Sequence, residues 1–275
     1  LDVEGRGAAV AETIQAVRAG DASNDILNGL VLETGLHWRE VDVLRTYANY
    51  ASQIGAVPSR LSPVRAFLQY PRIARLLVDL FDARLSPSRK ASEAEVQGLR
   101  KELLRELEAV TSLSDDRALR RLGNLIEATV RTNYFRHGGP DPTGRSGGVP
   151  YLSFKIRCAD VEELRRGRLL YEVFVFSSRM EGIHLRAAPI SRGGIRWSDR
   201  PDDYRIEVLG LVQTQIVKNA AVLADELQLG FLGEAHAFLL VHSHPTIGGP
   251  QRPTFRAPTR AGVAGGSFDP ADGNT

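Results

Sequence analysis

A chain of 275 residues, 43% hydrophobic and 25% charged, can hold one or two ordinary globular domains with a buried core. Its net charge of +2, from 35 basic and 33 acidic residues, gives no reason to expect nucleic acid or an anionic membrane as a partner. No stretch approaches the roughly 18 uncharged apolar residues of a membrane-spanning helix, and the single cysteine, Cys158, excludes an intrachain disulfide framework and fits a reducing, cytoplasmic setting.

Residues 8–136 read as a succession of helices with little strand signal. Trp38 to Ile54 places Val41, Leu44, Tyr47, Ala48 and Ala51 on one side, and Ile73 to Ala83 begins directly after Pro71, whose ring suits a first helical turn. At that spacing Trp38 and Tyr47 read as core residues and not as a ring-stacking site. A charged helix over about Glu93 to Val110 carries Leu99, Leu103, Leu107 and Val110 at helical spacing. Ser114, Asp115 and Asp116 open the next helix, which is expected to run to His137 and stop at Gly138 and Gly139.

The run HGGPDPTGRSGGVP reads as a linker over 138–150. After it the character changes to sheet: Tyr151 to Arg157 alternates apolar and polar, Leu169 to Phe176 is β-branched and aromatic, and Gly182 to Arg186 is short and extended. Cys158, at the end of the first of these strands and with no histidine beside it in sequence, reads as a buried structural thiol. The expected fold class is therefore α+β or α/β. A helical segment, 1–137, precedes the start of an α/β domain, 151–223, and an irregular Gly/Pro-rich tail, 224–275, follows. The chain starts at Leu1, has its sole methionine at Met180 and shows no targeting signal, so it reads as a fragment.

The densest chemistry lies between Ile190 and Lys218. Gly193 and Gly194 leave the backbone bare, and Arg192 and Arg196 flank them with forked guanidinium donors of the kind that hold carboxylate or phosphate. Ser198 or Asp199 is placed to cap a helix, with Pro201 in its first turn and Asp202 and Asp203 complementing its positive end. Along that helix Tyr204, Val208, Leu211, Gln215 and Lys218 share one stripe. Helix statistics alone favour reading Lys218 as a lysine whose stem covers apolar surface; the alternative is a substrate-binding cation.

The run RGGIRWSDR, followed by YRIEVLGLVQTQIVKNA, resembles the signature of the large NAD-specific glutamate dehydrogenases of bacteria. GLHWREVDVLRTYANY and YPRIARLLVDLFDARLSP resemble segments that precede the catalytic domain in the same enzymes, so the likeness covers about residues 22–223. The resemblance implies a fragment of an enzyme that converts L-glutamate to 2-oxoglutarate and ammonium with NAD, cytoplasmic and homo-oligomeric in its parent form. Residues 151–223 would then begin the substrate domain. It further implies that Arg192 recognises the substrate's side-chain carboxylate beside Gly193 and Gly194, and that Lys218 binds the α-carboxylate. Arg196, Trp197, Ser198, Asp199 and Arg200 match the signature without individual roles, and structural support of the turn is their default, with an Asp199–Arg200 pair across it.

The sequence also departs from that family. Where a GAKGG-type turn would supply the catalytic lysine, residues 221–233 read AVLADELQLGFLG, and no GxGxxG nucleotide loop occurs anywhere. Similarity is expected to stop near Leu223, as a reading-frame shift in a GC-rich gene would produce. The isolated chain is accordingly expected to be inactive. Two other readings remain: a non-catalytic helical scaffold or regulatory module, and a zinc hydrolase built on His242 and His244 of LLVHSHP, with Glu234 as base. The hydrolase lacks a convincing third ligand.

Overall fold

The helical periodicity of the first half resolves into seven α-helices among the described residues: α1 Val3–Ala19, α2 Gly29–Thr34, α3 Trp38–Gln53, α4 Leu61–Gln69, α5 Pro71–Leu85, α6 Glu93–Glu108 and α7 Leu113–Ala128. A computed structural model describes residues 3–89, 91–136, 151–165, 167, 169–187, 191–192, 195–198, 200, 202–225, 235–236 and 238–243. At 3–5, 191–192, 195–197, 215–225 and 235–243 it describes the backbone alone.

Local chemistry explains where these helices start. The His37 ring accepts the Arg39 N–H while the Glu40 carboxylate accepts the His37 N–H, which closes a capping box at α3. Pro71 occupies the first turn of α5, and the Ser92 hydroxyl accepts the Glu95 N–H at α6. Helix α7 is capped by Ser112, whose hydroxyl accepts the Asp115 N–H. Asp115 and Asp116 lie in its first turn, as expected.

The end of α7 differs from the sequence reading. The helix stops at Ala128, and Thr129–Thr132 forms a strand, β1. Thr129, Val130 and Thr132 are β-branched, and the buried Thr129 hydroxyl donates to the Leu125 carbonyl and bonds the Tyr47 hydroxyl at 2.7 Å. Strand pairing therefore prevails over helix continuation.

Strand β2 (Leu152–Arg157) falls on the alternating run, β3 (Tyr171–Phe176) on the β-branched and aromatic run, and β4 (Met180–Arg186) on the short extended run, starting two residues earlier than expected. Strand β1 pairs antiparallel with β2, so the sheet begins on one side of residues 138–150 and continues on the other. That expected linker lies outside the described residues. The described residues fall within one compact unit, Leu1–His244.

Later come β5 (Ser191–Arg192), β6 (Ile195–Ser198), α8 (Tyr204–Asp225), β7 (Ala235–His236) and β8 (Phe238–Ser243). The main sheet has the order β1-β2-β3-β4-β8-β6, antiparallel except for β6, which runs parallel to β8; β5 and β7 form a separate parallel pair. The tail expected to be irregular from 224 thus contributes a strand to the main sheet. FLLVHS is apolar enough to pair with the apolar strand β4, as Ile183↔Leu240 and Leu185↔Phe238 illustrate.

One face of the sheet packs on the helices. Leu152, Phe154 and Ile156 of β2 stand beside Phe176, Phe174 and Glu172 of β3, which stand beside Glu181, Ile183 and Leu185 of β4, and all nine side chains are buried. Tyr47 of α3 stacks on Phe154 at 4.5 Å between ring centres, Tyr50 lies 5.2 Å from Phe174, and Phe81 of α5 lies 5.5 Å from Phe154. Each such ring contributes about 1.5–3 kcal/mol on leaving water, so the contact between layers is a principal source of stability. Arg45, buried with Asp42, also reaches the half-buried Asn28 and the exposed Asp25. Burial pushes the Asp42 carboxyl up to about 6, helped by Asp25 and opposed by Arg45.

Candidate functional site

The cationic turn joins the short strand β5 to β6. Arg192 is the last residue of β5 and pairs in register with His236 of β7, whereas Arg196, Trp197 and Ser198 pair with Leu240, Val241 and His242 of β8. Gly193, Gly194, Asp199 and Pro201 lie outside the described residues. Lys218 lies in α8, fourteen residues beyond Tyr204, which corresponds to about 21 Å along the helix. The backbone thus sets Arg192 at a strand end and Lys218 on the helix that follows; the side chains of both are outside the described set.

The approach to α8 departs from the expected cap. The Ser198 hydroxyl, buried, accepts the Arg200 N–H at 3.1 Å and closes a turn before the helix, which starts only at Tyr204. Ser198 shapes the turn and not the first helical turn. Arg200 pairs with Glu207, a half-exposed contact that contributes at most about 1 kcal/mol. The buried stripe of α8 is Tyr204, Val208 and Val212, with Leu211 half-buried at its margin; Gln215 lies beyond the described side chains.

Two carboxylates absent from the sequence reading organise this region. Glu172 Oε2 accepts the Tyr50 hydroxyl at 2.9 Å and Arg205 Nε at 3.1 Å, and its Oε1 accepts Arg205 Nη2 at 2.6 Å. Glu181 Oε1 accepts Arg60 Nη1 at 2.5 Å, its Oε2 lies 3.4 Å from the Tyr204 hydroxyl, and Arg60 Nη2 reaches Asp202 at 3.8 Å. Burial and the adjacent carboxylates hold the Tyr50 and Tyr204 phenols well above their usual range, so both act as donors. Burial disfavours the charged form of Arg205, but Glu172 outweighs it and the guanidinium is held above its ordinary value. Cys158, 1% exposed, is raised by burial and by Glu172 and is not a reactive thiolate. Each carboxylate sits on the apolar phase of its strand, Glu172 with Phe174 and Phe176, Glu181 with Ile183 and Leu185. That inward position shows only in the strand register.

Residues 102–240, just over half of the chain, match the bacterial NAD-glutamate dehydrogenase catalytic domain. The chain belongs to the bacterial NAD-glutamate dehydrogenase family. Residues 22–87 match helical motif 3 of glutamate dehydrogenase, the region of α2 to α5. NAD-specific glutamate dehydrogenases of Halomonas elongata and Mycobacterium tuberculosis are each 41% identical, over 221 residues (80% of this chain, 13% of the relative) and 227 residues (81% and 14%). That of Pseudomonas aeruginosa is 40% identical over 242 residues (84% and 14%). The chain therefore spans 13–14% of the length of the curated relatives it matches. Strands β1 to β7 and helices α7 and α8 lie within the catalytic-domain match, which ends inside β8. That match runs to residue 240, past Leu223 where the motifs led us to expect it to end.

Proposed function

We propose that this chain is the part of an NAD-dependent glutamate dehydrogenase that holds the substrate's two carboxylates. Arg192 takes the side-chain carboxylate of L-glutamate beside Gly193 and Gly194, and Lys218 takes the α-carboxylate. Oxidative deamination to 2-oxoglutarate and ammonium, in a cytoplasmic homo-oligomer, belongs to the parent enzyme. The observation that carries this reading is the uninterrupted order of β5 ending at Arg192, β6 and α8 with Lys218, inside the stretch matched by the family's catalytic domain. Two cations suit a substrate with two carboxylates, and a guanidinium suits planar, forked recognition of one of them.

NAD does not fit the residues of this chain. The sequence contains no GxGxxG loop, and the main sheet described here is antiparallel apart from one strand pair, unlike the parallel sheet that presents a dinucleotide at a switch point. Nucleotide binding is assigned to the parent enzyme, outside these residues. The isolated chain should accordingly form no NADH from glutamate. The test is a chimera of the Pseudomonas aeruginosa enzyme that carries residues 22–223 of this chain in place of its own. Glutamate-dependent NADH formation supports the proposal, and a folded but inactive chimera contradicts it.

A further inference from the structure

Glu172 and Glu181 sit at opposite ends of one buried sheet face. In register, Glu172 lies across from Leu185 and Glu181 across from Phe176, with Phe174 and Ile183 between them. The two rows are four residue steps apart, about 13 Å along the sheet. Both carboxylates are fully buried, among apolar neighbours where a leucine would cost less to bury. Replacing a buried ion pair by packed apolar side chains is often neutral or stabilising, so overall stability is a weak reason for these two glutamates to be there.

Their contacts supply a better one. Consecutive residues at the start of α8 reach the two ends of the face: Tyr204 toward Glu181 and Arg205 toward Glu172. Each carboxylate is also held from the helical layer, Glu172 by Tyr50 of α3 and Glu181 by Arg60 just before α4. A helix docked by apolar contacts alone can slide and pivot within the tolerance of its packing. One held at two points about 13 Å apart can no longer slide and can turn only about the line between them, because charge-assisted hydrogen bonds are directional and cannot be re-made after a shift of an ångström or two.

We propose that Glu172 and Glu181 are positioning residues that set the direction of α8, and with it the place of Lys218 relative to the β5–β6 turn. They touch no substrate; they act through Arg205 and Tyr204. The inference rests on the reading of α8 as the carboxylate-binding helix, and its test separates the two.

Amide hydrogen exchange of the full chain is compared with that of Glu172→Gln and Glu181→Gln, each of which keeps size and one acceptor oxygen but removes the charge. Tyr204→Phe serves as a milder third variant should either glutamine variant fail to fold. Losing a charge-assisted contact should raise exchange in 204–214 by roughly ten- to a hundredfold, with protection of 41–53 and 73–83 unchanged. A uniform loss across all helices, or unchanged exchange in 204–214, overturns the proposal. In parallel, 2-oxoglutarate is titrated into each protein calorimetrically. Weakening of at least tenfold in the variants supports the positioning role, and unchanged binding beside lost protection overturns it. If the unaltered chain binds no 2-oxoglutarate while protection is lost only in 204–214, the docking of α8 stands and the carboxylate-binding reading falls.

Discussion

Phe81→Ala tests whether the helices and the sheet share one core. Phe81 of α5 lies 6.2 Å from Tyr47, 5.5 Å from Phe154, 5.5 Å from Tyr134 and 5.7 Å from Phe135, and is 1% exposed. It therefore touches rings on both sides of residues 138–150. Truncating a buried phenylalanine costs about 3–5 kcal/mol through lost transfer energy and the cavity left behind. With an urea m-value of about 3 kcal/mol/M, the unfolding midpoint should fall by roughly 1–1.7 M. The two tryptophans make the assay spatially resolved: Trp38 opens α3 in the helical layer and Trp197 lies in β6 of the sheet. Single-tryptophan proteins, Trp38→Phe and Trp197→Phe, should show coincident transitions, and Phe81→Ala should shift both by the same amount. A shift seen by Trp38 alone would refute the shared core and favour two independently folding domains that meet near 138–150.

Asp42 makes a pH prediction. Its folded-state pKa is raised from 3.8 to about 6, so between these values the folded chain binds more protons than the unfolded one and stability falls as pH rises through the window. Two units correspond to about 3 kcal/mol, lost in full above pH 6. Asp42→Asn, which keeps an acceptor for Arg45, should remove that slope in urea melts between pH 4 and 6; equal slopes in both proteins would contradict the assignment. Cys158 should react with a thiol reagent only at the rate of unfolding, since it is buried and its thiol is raised by that burial. Rapid labelling of the native chain would show that the short 3-10 turn Cys158–Asp160, which follows β2, opens locally.

What was legible in the sequence were features with a single period. Val41, Leu44, Tyr47, Ala48 and Ala51 repeat at helical spacing and are all fully buried in α3, and the alternation of β2 gives its inward residues directly. The end of α7 was not legible, because Thr129 to Thr132 becomes a strand through its pairing with β2, whose partner residues lie 22 to 27 positions further on. Nor was β8, whose apolar run acquires a role only beside β4. At the site, arginine beside paired glycines drew attention to Arg192, whereas Lys218 was singled out only by the resemblance to the family signature, its spacing alone favouring a stem that covers apolar surface. Glu172 and Glu181 did not, since a carboxylate in a strand is unremarkable until the register shows which face it occupies. Their partners Tyr50, Arg60 and Arg205 come from segments 33 to 122 residues away, a separation that no local pattern reports.

The central claim, that Arg192 reads the side-chain carboxylate, is tested most directly by comparing 2-oxoglutarate with 2-oxovalerate, which shares the α-keto carboxylate and lacks the second one. A charge-assisted contact to that group contributes about 1.5–3 kcal/mol, so the chain should prefer 2-oxoglutarate by roughly ten- to a hundredfold in calorimetric titrations. Arg192→Ala should abolish the preference, whereas Lys218→Ala should weaken both ligands alike. A preference for 2-oxoglutarate that survives intact in Arg192→Ala would contradict the assignment.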